Sequence, residues 1–180
     1  MLDDELDAAA GPVEPETVPP VLLRAVMAEF ASGVTVVSTH WRGADHAITA
    51  TAFCSVSLEP PLVLVCVGKA SRFHRVITEA DGWAVSLLSH HQGWVGRHFA
   101  DRERDLTTQF SRVPHSRAAR SQAPLPTGSR GWLDCTTYAL YDGGDHTIVV
   151  GQVVQAGRPD GPDAPLTYHR ATYSDVPPNG

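Results

Sequence analysis

Three groups of residues in this sequence could do chemistry. Gly68-Lys69-Ala70-Ser71-Arg72 puts two cations and a hydroxyl into a short loop between an apolar run and a helical pattern. Backbone amides at a helix start, with positive side chains beside them, make a nest for a phosphate. A true P-loop would need glycine where Val63 stands and a hydroxyl where Ala70 stands, so the loop is either this milder nest or a solvated turn. The second group is Ile48 to Leu58, which alternates strictly. Ile48, Ala50, Ala52, Cys54, Val56 and Leu58 fall on one side, and Thr49, Thr51, Phe53, Ser55 and Ser57 fall on the other. A period of two predicts a strand with an apolar core face and a row of hydroxyls broken by one aromatic ring. The third is His146, which follows Gly143-Gly144-Asp145 and opens a strand, so that Asp145 and the turn can fix its ring. Spacing alone favours a turn histidine bonded only to its neighbours.

Other chemistries lack their motifs. No G-x-G-x-x-G follows a strand, and there is no H-E-x-x-H, no G-x-S-x-G and no ligand set containing cysteine. His90 and His91 are merely adjacent, and the reading is no metal. Trp83, Trp94, Trp132 and Phe99 are core or interface candidates before they are cofactor platforms.

The elements that must position these groups fit one domain over residues 21–176, preceded by an acidic, proline-rich arm (1–20) and followed by a tail (177–180). Leu22, Leu23, Val26, Met27 and Phe30 recur at helical spacing, with Gly33 as the stop. Val34 to Trp41 reads as a strand that pairs with the alternating one through the turn at 42–45. Glu59-Pro60-Pro61 stops that strand, and Leu62 to Val67 is an unbroken apolar run suited to a strand covered on both sides. Short helices follow Ser71 and Ser89 as caps. The stretch 106–130 has little periodicity and reads as an excursion or lid. Asp142-Gly143-Gly144-Asp145 predicts a hairpin, and Leu166 to Tyr173 a last strand. The fold class is therefore mainly β: an antiparallel barrel of six to seven strands with two or three short helices.

The net charge of -6 argues against nucleic acid as a partner. No run of roughly 18 apolar residues predicts a membrane span. Cys54, Cys66 and Cys135 are odd in number and set in apolar strand-like segments, so they read as buried thiols of a reducing compartment, with the cytoplasm as the default location.

Several segments, taken in order, resemble the small flavin reductases with an FMN-binding split-barrel fold, the reductase components of two-component flavin-dependent monooxygenases. They are Phe30-Ala31-Ser32-Gly33-Val34-Thr35-Val36-Val37, the run from Thr49 to Ser57, Glu59-Pro60-Pro61-Leu62-Val63, His98-Phe99-Ala100, Asp134-Cys135 and Gly144-Asp145-His146 with Gly151. The resemblance runs from about Phe30 to Tyr173. It implies a split barrel in which Thr49, Ala50, Thr51, Ala52, Ser55 and Ser57 face a flavin, FAD or FMN. Cys66 and Val67 would offer backbone contacts, and Lys69, Ser71 and Arg72 would take the phosphate. It also implies His146 beside the nicotinamide of NADH (NADPH as second choice), with Phe99 and Tyr173 closing over the ring from either subunit of a homodimer. The reaction implied is hydride transfer from the dinucleotide to flavin, with reduced flavin passing to a partner monooxygenase. Alternatives are a split-barrel oxidase holding FMN tightly and a non-catalytic flavin-binding module. Ala47, Ser86 and Val95-Gly96 depart from the residues common in that family.

Overall fold

Pro20 opens the first helix, α1 (Pro20–Met27), where a missing amide costs nothing. The structure, a computed structural model, describes residues 17–160 and 163–175; most of the expected arm (1–16) and the tail lie outside the described residues. α1 ends at Met27, well before Gly33, and buries none of its side chains; Val21, Val26 and Met27 are all more than half exposed. The chain then runs through β1 (Ser32–Gly33), β2 (Thr35–Trp41), β3 (Ala44–Ala50), β4 (Phe53–Leu58), β5 (Pro61–Gly68), α2 (His74–Glu79) and β6 (Gly82–Leu87). A 3-10 turn (His90–Gln92) leads into α3 (Gly93–Ala100). After it come β7 (His115–Arg117), β8 (Pro124–Pro126), β9 (Gly131–Gly143), β10 (His146–Gly157), β11 (Leu166–His169) and β12 (Thr172–Asp175).

Seven strands form one antiparallel sheet in the order β3-β2-β6-β9-β10-β5-β4. Its two edge strands are consecutive in the chain, and Thr51–Ala52 alone connects them. This corrects the expectation of one strand from Ile48 to Leu58. Two residues leave the ladder, carry the chain from one edge to the other, and restart the alternation in the opposite phase. Ile48 and Ala50 pack inward as expected, but after the bend it is Phe53 that meets the core. Val56 and Leu58, expected in the core, are 49% and 85% exposed, and of the three thiols expected to be buried Cys54 is exposed, Cys66 half-buried and Cys135 alone buried. A bulge between Ser55 and Ser57 leaves Val56 without a partner on β5. The last strand is likewise two, β11 and β12, turned by Arg170 and Ala171 at positive φ.

Inside the barrel Val37, Val63, Val65, Val67, Val85 and Val149 surround Trp83, and α2 contributes Phe73, Val76 and Ile77. A second layer covers the outside of β2 and β3 with Val95, Phe99, Phe110, Val113 and Leu166. β7 and β8 cover β6 and β9 through Ala118, Ala123 and Leu125. The segment 106–130 is thus not a lid but a packed cover, held by distant polar groups. The Arg117 guanidinium bonds Asp45 (Nη2–Oδ2 2.7 Å), and Gln109 donates to Asp45 O at 2.9 Å. Burial works to raise the Asp45 carboxyl, but hydrogen bonds from Arg117 and His40 outweigh it and hold it below the usual carboxylate range. Asp134, fully buried, accepts from the amides of Arg120 (2.8 Å) and Ser121 (3.2 Å). Asp134→Asn turns part of that acceptor into a donor facing two donors. It should cost about 1.5–3 kcal/mol in urea unfolding; a loss under about 0.5 kcal/mol would show that the amides do not depend on it.

Candidate functional site

At the end of β5 the backbone reaches Gly68, which pairs with His146 at the start of β10. A Cβ on Gly68 would stand 3.5 Å from His146 Nε2, so the imidazole lies over the glycine. His146 Nδ1 is 2.7 Å from Asp145 Oδ1. The hydrogen bond from His146, then its charge, holds the Asp145 carboxyl below the usual range. This pairing places the hydrogen on Nδ1 and leaves Nε2 as the ring atom over Gly68. Thr147 is buttressed by His74 (Nε2–Oγ1 2.8 Å), and Lys69 N donates to Asp145 O at 2.9 Å, so the hairpin and the β5 loop move as one. The tight turn exists because Gly144 takes φ +75.

The Lys69 ammonium pairs with the Asp142 carboxylate, and both are substantially exposed. Ser71 N donates to Gly68 O (2.9 Å), while Ser71 Oγ accepts from Phe73 N (3.1 Å), so this serine shapes the turn ahead of α2. Arg72 donates to the carbonyls of Arg102 and Arg104. Arg104, which sequence reasoning missed, donates to Ala47 O and to Asp101 O (2.6 Å) and lies 5.7 Å from the centre of the Phe99 ring. Burial, then the charge of Arg72, pushes its guanidinium down. The only sequence signal for it was the charged run Asp101 to Asp105. Asp142 and His74 were missed too, because each acts through a partner far along the chain.

Along the seam between the edge strands, the β4–β5 register ends at Phe53–Val65. Beyond it, Cys66 N bonds Ala52 O at 3.0 Å. Thr51, Ser55 and Ser57 have hydroxyls with no protein hydrogen bond among the described residues. Thr49 does not join them: its Oγ1 donates to Gly96 O (2.7 Å) on α3. Ala50 O accepts from Thr35 Oγ1 (2.8 Å). Phe99 is wholly buried against His98 and Phe110, so in this chain its ring reaches no open surface. Tyr173 is half-buried, packs on Gly96 and Tyr168, and has Arg97 at 5.8 Å from its ring. The structure therefore gathers Gly68, Lys69, Asp142, Asp145 and His146 on one rim. Thr51, Ser55, Ser57 and Cys66 lie along the seam, and Thr49, Phe99 and Tyr173 cluster about α3. Arg72 links rim to α3 through the loop that carries Arg104.

A flat polar molecule with an anionic arm suits this arrangement. Free hydroxyls lie beside an uncovered stretch of β5, and a glycine leaves space under an oriented imidazole. Known proteins resemble the chain over most of its length. The model of the flavin reductase like domain matches residues 27–177. An NADH-dependent FAD reductase of Streptomyces globisporus is 45% identical over 139 residues, 77% of this chain and 76% of that protein. The reductase component of 4-hydroxyphenylacetate 3-monooxygenase from Thermus thermophilus is 40% identical over 150 residues, 82% and 90% of the two chains. Among solved structures, the flavin reductase component of a bacterial two-component tryptophan halogenase superposes with a TM-score of 0.82 at 40% identity, covering 87% of this chain and 98% of that one. A Streptomyces globisporus NADH:FAD oxidoreductase in complex with NAD and FAD fragments gives 0.83 at 39%, covering 92% and 99%.

Proposed function

The chain belongs to the flavin reductase like domain family, and from that premise we propose that it is an NADH-dependent flavin reductase, taking FAD or FMN as substrate and releasing reduced flavin to a partner monooxygenase. The observation that carries this reading is the 45% identity to an NADH-dependent FAD reductase over 139 residues, 77% of this chain. Flavin supplies the redox chemistry, accepting hydride at N5 from C4 of the nicotinamide. The protein binds and orients, which is why no catalytic dyad appears in it.

In this reading Thr51, Ser55 and Ser57 offer hydroxyls to the polar edge of the flavin, with Ala52 as a small residue that leaves it room, while Ala50 packs inward and supports the strand end behind it. Cys66 and Val67 contribute backbone, and Lys69, Ser71 and Arg72 bind its phosphate. Lys69 must then exchange Asp142 for phosphate, which is cheap because an exposed ion pair is worth about 0–1 kcal/mol. Thr49 and Phe99 act from behind, fixing α3, and Tyr173 closes that side. His146 positions the nicotinamide amide. NADH oxidation followed at 340 nm with FAD, with FMN and without added flavin tests the proposal. Turnover requiring added flavin is expected. Turnover without it, by a protein that stays yellow through dilution, would favour the tight-binding oxidase, and no turnover with either flavin or either nicotinamide would leave a binding module.

The active species we propose is a homodimer. The outer faces of β2, β3, β6 and the first half of β9 are covered, but those of β4, β5, the adjoining part of β10 and the second half of β9, with exposed Tyr138 and Tyr141, are not. Leu62, Leu64 and Cys66 alternate outward from buried Val63, Val65 and Val67, next to exposed Val56 and Leu58. The apolar stripe of α1 is bare as well. Leu64→Asp should convert a wild-type dimer to monomer in sedimentation velocity; a monomeric wild type, or a variant that stays dimeric, would move the interface elsewhere. No helix among the described residues is long and apolar enough to cross a membrane, and work in the cytoplasm is part of the same proposal.

A further inference from the structure

Outside the rim and seam, His90, His91 and Asp163 place one ligand atom each within 4.8 Å of one another, the one such group among the described residues. His90 Nδ1 is 3.4 Å and His91 Nε2 3.8 Å from the same Asp163 oxygen. Those separations are too long for good hydrogen bonds. They are close to what a cation needs: zinc bound tetrahedrally at about 2.0–2.1 Å sets its ligand atoms about 3.3–3.4 Å apart. The two imidazoles lie against each other, ring centres 3.6 Å apart at 42°, and His90 Nδ1 is 3.4 Å from Ala164 O, so taking one ion through both rings turns the exposed His91 ring outward and His90 Nδ1 away from that carbonyl.

The geometry does not depend on a bound ion. Ser89 and Gln92 form a capping box that holds the 3-10 turn bearing both histidines. The segment carrying Asp163 is tied to this turn by main-chain bonds, His90 N to Ala164 O at 3.0 Å and Leu166 N to Leu88 O at 2.9 Å, and by a bridge between Ser89 and Pro165. Two stretches far apart in sequence therefore bring together two imidazoles and a carboxylate, a donor set that suits zinc. The sequence concealed it because the carboxylate is remote from the histidine pair.

We propose that His90 Nδ1, His91 Nε2 and the Asp163 carboxylate bind one zinc-type divalent cation. The two histidines also line a cavity of about 250 Å³ with Trp94, Arg97 and Tyr173. That leaves room for a fourth ligand, water or an anionic oxygen. The site is separate from the flavin chemistry proposed above and is tested without it.

The experiment is Zn²⁺ titration of the full-length, chelator-treated protein against a competing chromophoric chelator, with Co²⁺ absorption as the second readout. Saturable uptake of one equivalent is expected, with visible bands of a four-coordinate Co²⁺ site. His91→Ala and Asp163→Asn alter exposed side chains and should leave the fold intact by circular dichroism. Each should weaken Zn²⁺ binding by about tenfold or more, since even outer partners of metal ligands are worth about 10–100-fold. Absence of saturable uptake by the wild type, or unchanged affinity in either variant, would overturn the site.

Discussion

His146→Ala should lower kcat/KM for NADH by about 10–100-fold, the equivalent of losing one well-placed polar contact of about 1.5–3 kcal/mol. The imidazole is held by Asp145 through Nδ1 and lies over the bare backbone of Gly68, so Nε2 is its only ring nitrogen left to meet a substrate amide. A positioning role predicts a particular pattern. KM for the dinucleotide rises and kcat falls, because a loosely held nicotinamide spends less time aligned, while the Kd for flavin by fluorescence quenching stays put. His146→Gln, which keeps a donor and an acceptor, should recover part of the loss. Asp145→Asn should show a milder version of the same defect. If His146→Ala left KM and the rate of flavin reduction unchanged, the histidine would be only a part of the turn.

Trp83→Ala should cost about 3–5 kcal/mol of stability, the range for removing a buried tryptophan. Trp83 is fully buried in the barrel, and a Cβ placed on Gly151 would come within 2.4 Å of its ring. The glycine across the sheet is empty so that the indole can fill it. Its Nε1 has no hydrogen-bond partner among the described residues, so the loss is of packing and apolar burial rather than of a polar contact. Gly151→Ala attacks the same fit from the other side and should cost about 1–3 kcal/mol through overpacking. Urea unfolding with both variants checks this. A Trp83→Ala loss below about 1 kcal/mol would mean that the barrel interior closes readily over the gap.

Much of this arrangement could be read from residue order. The β2–β3 and β9–β10 hairpins, the loop from Gly68 to Arg72, the Asp145–His146 pair and the capping by Ser89 are local, and local spacing carries them. What stayed hidden was what distant partners decide. The alternation from Ile48 to Leu58 survives the bend at Thr51–Ala52, since small and hydroxyl residues suit a strand or a corner equally, and only the opposite sheet edges reveal two strands. Thr49 looked identical to Thr51 until α3 offered the Gly96 carbonyl. Phe99 has a helical position that serves core or surface, and Phe110 on the far cover settles it. The cover from 106 to 130 lacks periodicity because Asp134, Asp45 and Gln109 hold it through polar contacts, which leave no hydrophobic rhythm.

The corner at Thr51–Ala52 also bears on how the molecule assembles. Three hairpins, β2–β3, β4–β5 and β9–β10, join sequence neighbours, whereas β5 on β10 and β6 on β9 join segments far apart. Loop closure makes the latter slow, so the cylinder should zip up from preformed ribbons, with β3 and β4 tethered at that two-residue corner from the start and the seam of β5 on β10 closing late. Pulse-labelled amide exchange during refolding would show β2–β3 protected before β5–β10; simultaneous protection would reject that order.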